Sequence, residues 1–145
     1  MSCKSFISSE KDAVSAVNEI KRKASEIANP GLVVYFASAN YLSGEISKAM
    51  GDTFPGVHTV GCSSAGEMTE NGMTDDSIVA MIFEKDSFKS VQVEVLQNIT
   101  TDKTTVKKAF ASFEKNTGVS MSQLNPERFV GLMIDRKSTR LNSSH

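Results

Sequence analysis

Leu32-Val33-Val34-Tyr35-Phe36 decides the reading of this chain, because five apolar residues in a row, two of them β-branched, leave no polar position for a solvated face. A run of that kind fits a strand covered on both sides, and therefore a parallel or mixed sheet. Upstream, Ser9 and Asp12 form an approximate capping box. Val14, Val17, Ile20, Ala24 and Ile27 then recur at helical spacing until Asn29-Pro30-Gly31 breaks the pattern, which predicts a helix over residues 10–28. Downstream, Leu42, Ile46 and Met50 lie four apart on one helical face that ends at Phe54-Pro55-Gly56, and Val57–Val60 supplies a second strand. Strand, helix and strand together make a βαβ unit.

Further along, Ser77–Phe83 is again nearly all apolar, and Phe88–Leu96 alternates Val91, Val93 and Val95 with Gln92 and Glu94. The two segments read as a hairpin turning at Glu84–Ser87. Thr101 or Asp102 can cap a third helix carrying Val106, Ala109, Phe110 and Phe113, with Gly118 marking its end, and Phe129–Ile134 reads as a last buried strand. The order α-β-α-β-β-β-α-β gives an α/β fold: a mixed, largely buried β-sheet of about five strands flanked by about three helices. Residues 136–145, Arg-Lys-Ser-Thr-Arg-Leu-Asn-Ser-Ser-His, continue no pattern and read as a polar, non-native tail, with the native chain expected to continue past Asp135. Residues 1–135 read as one domain.

With 145 residues and 39% hydrophobic content, the chain is long enough to bury a core without disulfide or metal staples. Sixteen basic and 17 acidic side chains give a formal net charge of −1 without a basic stripe, so nucleic acid is not an expected partner. The N-terminus lacks the apolar core of a secretory signal and no apolar run reaches membrane-spanning length, which predicts a cytoplasmic protein with no membrane partner. Cys3 and Cys62 have no metal-site or redox spacing, and read as reduced thiols.

Between the βαβ unit and the next strand lies Gly61-Cys62-Ser63-Ser64-Ala65-Gly66-Glu67. Small residues at the end of a strand bare backbone N–H groups to a ligand. Gly61 and Gly66 have P-loop spacing, yet Glu67 stands where that motif requires Lys. Backbone donors beside a carboxylate suit a ligand with both a negative and a positive group, such as a free amino acid. Ligands of open α/β sheets sit beyond the carboxyl ends of the strands, where Ser38, Asn40, the Gly61–Gly66 loop and Asp135 can converge. Ser64 and Glu67 also match a capping box, so a purely structural role stands beside the binding one. Asp75 and Asp76 charge or cap the turn before Ser77.

Val33–Ser38 after an N-terminal helix, then Gly61–Glu67, Asn71-Gly72 and Asp75-Asp76-Ser77-Ile78-Val79, resemble the N-terminal half of the FIST sensory domain over about residues 10–135. That resemblance implies a signal-transduction module binding small ligands such as amino acids. It also implies a C-terminal FIST half and a signalling output domain or partner kinase. The expected ligand-binding residues are Ser38, Gly61, Cys62, Ser63, Ser64, Gly66, Glu67 and Asp76, with no catalytic residue, metal or cofactor.

Two other readings compete. Cys62 as an enzymatic nucleophile needs a base. His58, four residues earlier, lies about 13 Å away along an ideal strand. Ser63 lacks the G-x-S-x-G elbow, because Ala65 stands where glycine is required. A haem-binding gas sensor would need His58 as axial ligand, and no Cys-x-x-Cys-His attachment site is present.

Overall fold

The computed structural model describes residues 3–69 and 72–134, and these group in two compact units, one within residues 3–91 with Ile134 and the other Gln92–Met133. Asn71, Asp135 and the 136–145 tail, each invoked above, lie outside the described residues.

The first unit holds six strands and two helices: β1 Cys3–Ser8, α1 Ala13–Lys23, β2 Pro30–Ser38, α2 Ser43–Thr53, β3 His58–Ser64, β4 Glu67–Thr69, β5 Gly72–Thr74 and β6 Ile78–Glu84. The main sheet has the order β1-β6-β2-β3, and β4 pairs with β5 as a separate hairpin. β2 and β3 are parallel neighbours joined through α2, as the βαβ pattern predicted. β6 runs antiparallel to both β2 and β1, so the sheet is mixed.

Register explains the core. Val33 faces Ile82, Tyr35 faces Ala80 and Ala37 faces Ile78 across the β2–β6 ladder, which puts all six on one face. Over that face pack Ala13, Ala16, Val17 and Ile20 of α1 with Ile46, Ala49 and Met50 of α2. On the opposite face Val34 and Val79 are buried, whereas Phe36 and Met81 each remain 40% exposed.

Helix α1 starts later and ends earlier than the periodicity predicted. Asp12 itself is the N-cap, accepting from Ser15 N at 2.8 Å, and Ala24–Glu26 tightens into a 3₁₀ turn. The hairpin expected from Phe88–Leu96 is absent: no strand forms there, because both edges of β6 are already occupied by β1 and β2. Lys85–Ser87 is instead a 3₁₀ turn leading out of the sheet, after which Phe88 folds its ring against Phe83 with centroids 5.4 Å apart.

The second unit is built on α3, Thr104–Thr117, whose end is fixed by Gly118 at φ 71°, the left-handed C-cap the sequence predicted. Phe110 and Phe113 meet edge to face at 6.3 Å, and Ser112 Oγ donates to Glu94 at 2.5 Å. Phe129–Ile134 is not the expected strand. It finds no ladder partner among the described residues, and Val130 and Leu132 are exposed.

Candidate functional site

β2 and β3 end side by side at Ser38 and Ser64, and β6 begins opposite them with Ser77 just before it. Backbone bonds lock this end of the sheet: Ser38 N donates to Ser77 O at 2.9 Å and Ala39 N to Ser64 O at 3.2 Å. Three strand ends and the loops leaving them therefore converge on one spot, beyond the carboxyl ends of the two parallel strands.

The seven residues read as a loop divide in two. Gly61–Ser64 continue the parallel ladder opposite Tyr35–Ser38 and belong to β3, while only Ala65 and Gly66 form the connection to β4. The reason lies in Tyr35. A Cβ on Gly61 would fall 2.3 Å from Tyr35 O and 2.6 Å from its ring, so the glycine is required by the aromatic side chain lying over it. P-loop spacing had no part in placing it. Neither does Glu67 start a helix: it opens the β4–β5 hairpin.

Glu67 is 2% exposed. Ser64 Oγ donates to its Oε1 at 2.6 Å and Ser77 Oγ to its Oε2 at 2.8 Å, with Ser77 N at 3.4 Å. Thr74 Oγ1 extends the network to Ser77 Oγ at 2.9 Å. A buried carboxylate with several donors is well satisfied, and Glu67 ties the end of β3, the hairpin and the start of β6 together.

Asp76 takes the outward position. It sits at φ 54°, and Asn40 Nδ2 donates to its Oδ1, with Ser38 Oγ 3.4 Å from the same oxygen. Tyr41 Oη donates to the Glu10 carbonyl and lies 3.4 Å from that of Asp76. Burial raises the Tyr41 pKa, and the charges of Asp76, Glu67 and Glu10 add to the shift.

Two cavities open at this end. One, of about 250 Å³, is lined by Ser38, Asn40, Ser64, Asp75, Asp76 and the Ala65–Gly66 connection, whose backbone lies outside both strand ladders. The other, of about 360 Å³, is lined by residues that include Tyr35, Tyr41, Ser43, Ser47, Cys62 and Ser63. Ser38 borders both. Seven of the eight candidates thus line one cavity or the other, Gly61, Cys62 and Ser63 the larger, Ser64, Gly66 and Asp76 the smaller and Ser38 both, while Glu67 lines neither. Asn40, Tyr35 and Tyr41 complete the surroundings; a tyrosine paired across a ladder with a glycine was the one available signal for Tyr35.

Cys62 and His58 occupy the same uninterrupted strand, four residues apart, with His58 exposed at its far end. Among the described residues no three His, Cys, Asp or Glu side chains are placed to hold a metal ion, and no helix is long and apolar enough to cross a membrane.

The family model of the FIST N domain matches residues 31–143, and the chain belongs to that family of sensory domains of signal transduction. The match begins at β2 and spans the candidate site. No curated protein and no solved structure matches the chain.

Proposed function

We propose that this domain is a non-catalytic sensor of free amino acids, seating its ligand at the shared end of β2 and β3. The observation that carries this reading is the cavity of about 250 Å³, in which the Asp75 and Asp76 carboxylates face serine hydroxyls, Asn40 and the backbone of Ala65–Gly66. Its size is below the usual drug-sized range of about 300–1,000 Å³ and suits a small metabolite. Asp76 is the group that receives the ligand's ammonium, and Glu67, engaged by Ser64 and Ser77, organises the strand ends behind it.

Signal output requires the ligand to favour one of two arrangements of the full sensor. A C-terminal FIST half that closes on the site, followed by an output domain or partner kinase, fits that requirement.

Thermal-shift and calorimetric titration of the twenty amino acids tests the reading, with Asp76→Asn as the variant. Asparagine tolerates a positive φ and removes only the charge. Loss of a charge-assisted bond predicts about ten- to hundredfold weaker binding. No stabilisation by any amino acid, or equal affinity in the variant, would sink it.

A further inference from the structure

The larger cavity, of about 360 Å³, differs in kind from the smaller one beside it. Asp75 and Asp76 border the smaller cavity, whereas none of the residues lining the larger one is Asp, Glu, Lys, Arg or His. Its two phenols stay neutral, since burial before all else raises the pKa of Tyr35 and of Tyr41 above the ordinary tyrosine value.

The wall also offers little to an anion, because three of its hydroxyls already donate within the protein. Ser38 Oγ donates to Asp76 Oδ1 at 3.4 Å, Tyr41 Oη to the Glu10 carbonyl and Ser47 Oγ to the Ser43 carbonyl at 3.0 Å. Ala37 and Ile46, both members of the core cluster, join the buried Tyr35 and Tyr41 rings as the inner wall. Ser43 and Ser47 are exposed and stand at the mouth. The volume falls at the lower end of the usual small-molecule range of about 300–1,000 Å³, which accommodates an amino-acid side chain. Ser38, at the carboxyl end of β2, borders both cavities, so one small molecule can occupy the two together.

Resting on the amino-acid reading of the smaller cavity, we infer that the larger cavity takes the ligand's side chain and that the class sensed is the amino acids with uncharged side chains. The ammonium and carboxylate stay with Asp76, Asn40 and the Ala65–Gly66 backbone, and the side chain passes Ser38 into the neutral chamber. A charged side chain there loses water and gains no counter-charge, which penalises it against a neutral one of the same shape. Glycine leaves the chamber unfilled and forgoes the contact with its apolar wall.

Calorimetry on the full chain with all twenty amino acids tests this, read through three matched comparisons. L-leucine should bind about tenfold tighter than glycine, L-glutamine about tenfold tighter than L-glutamate, and L-methionine about tenfold tighter than L-lysine. Ser47→Arg then carries a guanidinium to the mouth, at an exposed position of α2 where arginine is a good helix former. It should raise the ratio of L-glutamate to L-glutamine affinity about tenfold. If glycine binds as tightly as leucine, if a charged side chain binds as tightly as its neutral match, or if Ser47→Arg leaves the ratio unmoved, the inference is overturned while amino-acid sensing stands. If none of the twenty amino acids binds, the amino-acid reading itself falls and this inference falls with it.

Discussion

Ser77 Oγ donates to Glu67 Oε2 at 2.8 Å, and with the Thr74 hydroxyl 2.9 Å from the same Oγ this bond joins the β4–β5 hairpin to the residue just before β6. Because Glu67 is buried, deleting its carboxylate removes an acceptor from Ser64 and from Ser77, each at a cost of about 1–3 kcal/mol, and leaves them only the Ala37 carbonyl and the Thr74 hydroxyl. Glu67→Ala should therefore lower stability by about 2–4 kcal/mol in urea unfolding. Glu67→Gln, which still accepts at one oxygen, should lose less and leave amino-acid affinity unchanged. A tenfold weaker complex in the Gln variant would return the ammonium role to Glu67.

Gly61→Ala should be among the most damaging single-methyl additions in the first unit. The new Cβ would meet backbone oxygen at 2.3 Å, and that strand cannot shift without breaking the β2–β3 ladder. Overpacking of this kind costs about 1–3 kcal/mol or more. Gly51→Ala gives the contrast: it lies inside α2 with open space around it, and should stabilise by about 0.5–1 kcal/mol. Thermal unfolding of the pair reads both signs in one experiment.

Glu19 carries an acid-sensitive contribution to stability. Ser8 Oγ donates to it at 2.5 Å and Lys23 Nζ lies 3.0 Å away; the Ser8 hydrogen bond foremost, then Lys23, hold its pKa below the ordinary glutamate value. A lowered folded-state pKa means stabilisation present above the unfolded pKa and lost as pH falls through the folded one. The midpoint in urea should fall more steeply below about pH 4.5 in the parent than in Glu19→Gln, which lacks this titration.

Cys62→Ser should leave amino-acid affinity within about threefold, because the thiol is proposed to line the cavity and not to react. Calorimetry checks the affinity. Turnover of an ester or amide substrate by the parent, abolished in the serine variant, would favour an enzyme.

The βαβ unit was legible because Leu32–Phe36, the Leu42–Ile46–Met50 stripe and Val57–Val60 each carry a local pattern that their tertiary neighbours reinforce. β1 was not legible. Cys3-Lys4-Ser5-Phe6-Ile7-Ser8 has no clean alternation, and it becomes a strand only because β6 offers an edge six residues long. Filling that edge is also what left Phe88–Leu96 without a partner, so one unread strand produced a second misreading. The hairpin β4–β5, three residues a side, is too short for periodicity to register. At the site, the meeting of Ser38 and Ser64 followed from the rule about strand ends, but the inward turn of Glu67 and the outward turn of Asp76 did not. Which of two nearby acids turns inward depends on where Ser77 lands, and that is a matter of register across β2 and β6.

The family match opens at residue 31, whereas the body that must fold begins with β1. A chain cut to the matched span would keep the whole site on paper. It would also strip β6 of its β1 ladder and uncover Val33 and Ile82, which pack in one cluster with Ala16, Val17 and Ile20 of the removed helix. Tyr41, in the loop between the two cavities, would lose the Glu10 carbonyl that anchors its hydroxyl. The segment that the family model matches and the segment that carries the sheet and its core are therefore different lengths of chain. The leading 30 residues contribute no wall to either cavity, yet they supply the β1 ladder, the α1 packing and the Tyr41 anchor behind the residues that do.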